Sequence, residues 1–251
     1  MPEKVEEVLH CDLHASQHHL YMEVLRQRRE ALVEELRNSS KPAPYLHIFA
    51  LLSHLKQICN HPALFYKKVA NYRKYHSGKW DLFLELLHEA FESDQKVVVY
   101  SQYLGMLDII EDYLKEHHIS YASIRGATQN RGEEVSRFQN DHTCKVFVGS
   151  LRAAGLGIDL TAASVVIHYD RWWNAAREDQ ATDRVHRIGQ VRNVQVFKLV
   201  TKGTFEERIA TLINRKAQLM DDVIGVDDHN ILKSFNREEL LELLSDVDID
   251  V

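Results

Sequence analysis

Cysteine is scarce in this chain: 3 in 251 residues, at Cys11, Cys59 and Cys144. An odd, dispersed set excludes a disulfide framework and fits a reducing compartment. No apolar run reaches membrane-spanning length, and the N-terminus lacks the apolar core of a signal peptide. The expectation is a soluble, intracellular protein. A zinc site needs four ligands, usually as paired Cys/His at short spacing. Cys11, His14, His18 and His19 cluster, and Cys59 stands two before His61, but no second cysteine pair exists. These histidines read as the wet face of an amphipathic helix, and no metal site is expected. A phosphate-gripping Gly-x-x-x-x-Gly-Lys-[Ser/Thr] loop is also missing. Gly78-Lys79 is followed by Trp80, and Arg73 stands where the first glycine belongs. Nor is there an excess of positive charge: the net charge is -6. That excludes a protein that simply coats a polyanion, so any such contact needs a local basic face.

What is present is an ordinary globular mix, 45% hydrophobic and 27% charged. The length suits one large domain, or one domain with a helical insertion. Residues 1 to about 75 read as helical: Leu20, Val24, Leu25, Leu32 and Leu36 recur at helical spacing. Asn38–Pro44 breaks that helix, and a second runs from about Leu46 to Cys59, closed by Pro62. From Ser77 the pattern alternates helices with short β-branched runs near 96–100, 121–124, 145–148, 164–168 and 194–200. These runs are nearly continuous in apolar residues, which marks strands buried on both faces. Alternation of that kind predicts a doubly wound α/β domain with a parallel sheet. Ligands in such sheets gather at the carboxyl ends of the strands, where Ser101, Gly126, Ser150 and Asp170 fall. Thr204–Met220 predicts a charged helix, and the segment from Asp221 to Val251 is acidic, with one short helix near Asn236–Leu244.

The most informative segment is Gln180-Ala-Thr-Asp183-Arg184-Val-His186-Arg187-Ile-Gly189-Gln190. On a helix, Gln180, Arg184 and Arg187 would share one face. Guanidiniums are permanently charged, rigid, bidentate donors to phosphate oxygens. Pairing with Glu178, Asp179 or Asp183 on a solvated helix is the plainer alternative. Arg171, Arg177 and Arg192 extend the basic cluster.

Together with Ile167-His-Tyr-Asp170-Arg171-Trp172-Trp173-Asn174, this segment resembles the last motif of the SWI/SNF-type ATPases, helicase-like double-stranded-DNA translocases of superfamily two. Four further segments match in order: Ile58-Cys-Asn-His-Pro62-Ala-Leu-Phe65; Ser77-Gly78-Lys79; Lys96–Ser101-Gln102-Tyr103 with Leu107–Leu114; and Gly149-Ser150-Leu-Arg152-Ala-Ala-Gly155-Leu-Gly157-Ile-Asp159-Leu-Thr161. The resemblance covers about residues 50 to 220. It departs from the family at Ile124-Arg125-Gly126 (usually Leu-Asp-Gly), at Ala154 (usually glycine) and at Ala175 (often proline).

The resemblance implies a RecA-like second lobe of a two-lobed ATPase: a helical protrusion over 1–75, the lobe over 76–203, and a brace helix with an acidic tail over 204–251. The phosphate loop and the Asp-Glu-x-His metal box belong to the family's first lobe, so the chain is expected to be the second lobe of a longer protein, inactive by itself. It further implies that ATP with Mg²⁺ is held mainly by that first lobe, and that Arg187 and Arg184 reach it as arginine fingers with Gln180 nearby. Gly155 and Asp159 would couple to the nucleotide, Asp159 by accepting ribose hydroxyls. Ser101, Gln102, Thr128, Arg131, Ser150, Arg152 and Trp173 would contact DNA through phosphates without reading bases, although a tryptophan pair such as Trp172-Trp173 is commonly core. The implied partners are double-stranded DNA, the first lobe and a DNA-bound protein target; the implied place is cytoplasm near the nucleoid, with the nucleus as alternative. A non-catalytic adaptor of the same fold is the rival reading.

Overall fold

The computed structural model describes residues 2–40, 42–150, 157–171, 175–217, 233 and 235–244. Six strands form one all-parallel sheet in the order β1-β6-β5-β2-β4-β3. They are β1 (Lys4–Cys11), β2 (Val97–Ser101), β3 (Tyr121–Ile124), β4 (Val146–Ser150), β5 (Val165–His168) and β6 (Val194–Thr201). Around them lie α1 (Ala15–Arg37), α2 (Tyr45–Asn60), α3 (Pro62–Phe65), α4 (Gly78–Glu92), α5 (Leu104–Glu116), α6 (Arg131–Asn140), α7 (Ala175–Thr182), α8 (Phe205–Ala217) and α9 (Arg237–Leu244). This is the expected doubly wound, RecA-like α/β lobe, with a helical insertion before it and a brace helix, α8, after it.

Every residue of β2, β4 and β5 is buried. Alternate side chains enter opposite cores. Val98, Tyr100, Phe147 and Val166 join α1, α2 and Phe138 of α6, whereas Val97, Val99, Val148 and Ile167 join Phe83 of α4 and Ile110 of α5. Each fully buried aliphatic side chain contributes about 1.5–3 kcal/mol relative to exposure. The first core runs without a break from the α1–α2 pair into the sheet.

One element corrects the sequence reading. Lys4–Cys11, expected to be helical with the rest of residues 1–75, is the edge strand β1, in register with β6 from Lys4↔Val194 to Cys11↔Thr201. Only Cys11 of this strand is buried, so the segment needs neither alternation nor an apolar run. Its partner strand is also remote in sequence.

Two of the matched motifs form a structural joint. Ser77 caps α4 by accepting the Trp80 N–H at 3.4 Å, and its hydroxyl donates to the Asn60 carbonyl at 2.9 Å. Gly78 is required because a Cβ there would lie 1.9 Å from the Asp12 carbonyl oxygen. Lys79 is buried, its Nζ 2.8 Å from both Glu206 carboxylate oxygens and 3.3 Å from Asn60 Oδ1. The Tyr169 hydroxyl donates to the same Asn60 carbonyl at 2.9 Å. His61 Nδ1 accepts the Ala63 N–H at 3.2 Å and caps α3, and burial holds the His61 pKa down to about 4. The Asn60-His61 and Ser77–Lys79 segments thus bind the helical insertion, the sheet and α8 together.

Candidate functional site at two edges of the sheet

After β2 the chain crosses to β3 on one side, and after β5 it crosses to β6 on the other. The adjacent carboxyl ends of β2 and β5 are therefore a topological switch point, where ligands gather in open α/β sheets. Asp170 stands there fully buried, and burial raises its pKa against the opposing pull of the Lys56 ammonium and the Ser101 hydroxyl. Its carboxylate accepts the Ser101 hydroxyl and, at 3.2 Å, the Gln102 N–H. The Gln102 side chain donates to the Arg171 carbonyl at 2.9 Å, and Lys56 of α2 donates to the same oxygen. Ser101, expected at a DNA contact, is buried with its hydroxyl given to Asp170; in this conformation it organises the edge from within. Ser150 is buried beside it, opposite Ser101 in the β2–β4 register.

Around the β3 end, Thr128 Oγ1 accepts the Arg125 N–H at 2.9 Å. Arg131 donates to the Thr128 and Gly126 carbonyls at 2.9 and 2.7 Å, which closes the loop leading into α6. Arg125, where the family usually has aspartate, pairs with Asp108 at 2.6 Å and Glu111 at 2.7 Å. Ser101, Gln102, Thr128, Arg131 and Ser150 thus share the carboxyl edge. Arg152, Gly155, Trp172 and Trp173 lie outside the described residues.

The arginine pair is elsewhere. α7 ends at Thr182, and bonds from Arg184 N to Ala181 O (3.2 Å) and Val185 N to Thr182 O (2.9 Å) tighten its last turn. Arg184 and Arg187 therefore lie on a loop, and the single helix face expected for Gln180, Arg184 and Arg187 is not formed. The loop docks where β5 and β6 begin. Leu160 N donates to the Arg184 carbonyl at 2.8 Å, and His186 Nε2 lies 2.8 Å from the Pro2 carbonyl, just before β1. This is the amino edge of the sheet, about 15 Å from the carboxyl edge for strands of four or five residues. Gln180 is exposed on the last turn of α7.

Arg187 pairs with Asp159, both of them substantially exposed, at 42% and 57% of their side chains. Asp159 thus meets a guanidinium here, where the sequence suggested a ribose acceptor. Of the acids considered as alternative partners, Glu178, fully buried, receives Arg171 Nε at 3.0 Å, and Lys198 lies 3.9 Å from Glu178 and 3.8 Å from Asp179. His168 bridges β5 to α7, its Nε2 2.9 Å from the Thr182 hydroxyl, and burial lowers its pKa to about 4. No three His, Cys, Asp or Glu side chains gather as a metal site among the described residues. Nor is any described helix long and apolar enough to cross a membrane.

Sequence reasoning missed three of these anchors. Lys79 carried a signal: with Phe83, Leu86 and Ala90 it repeats at helical spacing on the buried face of α4. Lys56, which donates to the Arg171 carbonyl, and Gln190, whose side-chain amide bonds the Ala163 carbonyl, carried none, because those backbone carbonyls lie far off in sequence.

Comparison with known proteins decides the family. A family model described as the helicase conserved C-terminal domain matches residues 78–189, and one described as the SNF2-related domain matches residues 1–64. The solved C-terminal domain of the Sulfolobus solfataricus SWI2/SNF2 ATPase superposes with a TM-score of 0.75 at 31% identity, over 99% of this chain and 100% of that one. The chain belongs to the SWI2/SNF2 ATPases, as their C-terminal lobe. The Sulfolobus solfataricus SWI2/SNF2 ATPase core in complex with double-stranded DNA matches at a TM-score of 0.76 and 35% identity, over 100% of this chain and 51% of that one. The putative ATP-dependent helicase/translocase YwqA of Bacillus subtilis is 34% identical over 249 residues, 98% of this chain and 26% of that protein. The chain spans about a quarter of the length of bacterial relatives such as YwqA, and less of several others. The family is ATP-dependent, and the SWI2/SNF2 lobe carries its two arginines and its strand-end residues on opposite edges.

Proposed function

We propose that this SWI2/SNF2 lobe completes the ATP site of a DNA-stimulated ATPase that moves along double-stranded DNA and remodels DNA-bound protein. The amino-edge loop meets ATP·Mg²⁺ held by a first lobe, and the carboxyl edge meets the duplex. Arg187 is the finger. A phosphoryl transition state spreads charge over its equatorial oxygens, and a guanidinium placed there raises turnover by about 10³–10⁵-fold, roughly 4–7 kcal/mol. Arg184 and Gln180 assist it, and Gly155 and Asp159 couple the nucleotide to the strand ends. Thr128, Arg131, Ser150 and Gln102 line the DNA side, with Ser101 holding that edge in shape; Arg152 and Trp173 are assigned to DNA by their motifs alone.

The observation that carries this reading is the placement of Arg187. It sits half-exposed on a loop whose neighbours Ile188 and Val191 are 91% and 85% exposed. Such a loop is built to meet something outside the lobe. Its exposed Asp159 contact is of the kind typically worth no more than about 1 kcal/mol, easily exchanged for a phosphate. Cleft closure then gates hydrolysis.

The test is ATP hydrolysis, with and without duplex DNA, by a protein joining this chain to the first ATPase lobe, beside its Arg187→Ala variant. DNA-stimulated turnover that falls a hundredfold or more in the variant is expected on the scale of a finger. Turnover indifferent to Arg187 would replace this reading with the adaptor.

A further inference from the structure

The loop from Asp183 to Asn193 carries both arginines yet has little regular structure of its own. Gly189 sits in it at φ +104°, and a single backbone bond, Gln190 N to Arg187 O at 2.9 Å, closes its outer turn. Ile188 and Val191 point to solvent, but Gln190 between them is only 6% exposed. Its amide is fully engaged. Nε2 donates to the Ala163 carbonyl at 2.8 Å and the Val185 carbonyl at 3.1 Å. Oε1 accepts the Val191 and Arg192 N–H groups, each at 2.9 Å. Two carbonyls and two N–H groups leave no freedom in which way the amide faces, and only a side-chain amide offers two donors and an acceptor at one tip.

We propose that Gln190 is a positioning residue for Arg187, an inference that rests on the finger reading above. Ala163 immediately precedes Ser164, whose carbonyl receives Gln195 N of β6 at 2.8 Å, so the amide ties the loop to the rigid start of the β5–β6 pair. The Leu160–Arg184 bond fixes the other limb of the loop. Arg187 hangs between these two fixed points, and its reach toward a ligand is set by them. A displacement of about 1 Å in a catalytic group costs roughly 10²-fold in rate, which is the leverage Gln190 holds without touching the nucleotide.

Gln190→Glu tests it. The glutamate has the same shape and keeps the acceptors for Val191 and Arg192, but it loses both donors and sets a carboxylate against two carbonyls. In the two-lobed protein, kcat is expected to fall about 10- to 100-fold while the KM for ATP stays within about threefold, as for an interaction made only in the transition state. The decisive readout is the double variant: in the Arg187→Ala background, Gln190→Glu should have no further effect on kcat. If Gln190→Glu lowers the melting temperature, Gln190→Ala, which brings in no charge, carries the same expectation. A Gln190 effect that persists undiminished without Arg187 would overturn the proposal. So would a kcat unchanged by either substitution while Arg187→Ala collapses it. Turnover indifferent to Arg187→Ala would instead remove the finger reading, and this inference with it.

Discussion

Lys79 and Glu206 offer the sharpest test of the physical reading. Their side chains are 0% and 2% exposed, and the ammonium spends its three protons on the two carboxylate oxygens and Asn60 Oδ1. Burial alone would depress the Lys79 pKa; the Glu206 carboxylate outweighs it, and the pKa is raised. Lys79→Met leaves a carboxylate in the core with only the Thr201 N–H, at 2.9 Å, as a described partner besides the lost lysine. Breaking a buried pair from one side costs about 3–5 kcal/mol, or roughly a 6–20 °C fall in Tm for a domain of this size. Adding Glu206→Gln removes the orphaned charge, keeps an acceptor for Thr201, and should return on the order of 2 kcal/mol. Urea denaturation of the single and double variants measures both. A loss under about 1 kcal/mol for Lys79→Met, the value of an exposed pair, would refute the reasoning, as would a double variant weaker than the single. Because the folded pKa of Lys79 is raised, its stabilisation is complete below the unfolded value of about 10.4 and fades as pH rises through the folded one.

Two further outcomes are expected. Gly78→Ala places a methyl 1.9 Å from the Asp12 carbonyl; relieving that overlap moves backbone, so about 1–3 kcal/mol should be lost in the same denaturation assay, although α4 itself gains a better helix former. His61 and His168 are buried neutral, each with its pKa lowered to about 4. Between about pH 6.5 and 4 the unfolded chain binds protons that the folded one refuses, so stability falls as pH drops through that window. The loss is about 2 kcal/mol per histidine by pH 5 at about 1.4 kcal/mol per unit. Urea midpoints at pH 7 and 5 should show it, and His168→Gln should flatten the slope; an unchanged slope would mean that His168 is not held neutral.

Much of the molecule is legible along the chain. The β-branched runs near 97–101, 146–150 and 165–168 are strands buried on both faces, because only a sheet covered by helices on both sides accepts continuous apolar residues. The helices α1, α2, α4, α5 and α6 follow from their apolar spacing. β1 was not legible: an exposed edge strand leaves no periodic trace, and what makes it a strand is β6. The site was half legible. Residue types suited to phosphate can be read along the chain, but the helix invoked to align Gln180, Arg184 and Arg187 ends at Thr182; beyond it the Arg184 carbonyl is taken by Leu160 N and the Val185 carbonyl by the Gln190 amide.

By itself the sequence determined the fold class, the order of most of its elements and the charge of the arginine segment, because burial periodicity and side-chain type are local properties. Only the tertiary structure decided that Ser101 faces inward to Asp170, that Lys79 is buried against Glu206, and that the arginine loop and the strand ends occupy opposite edges of the sheet. Each of those depends on a partner far away in the chain, and no local pattern encodes the distance between two residues that meet only after folding.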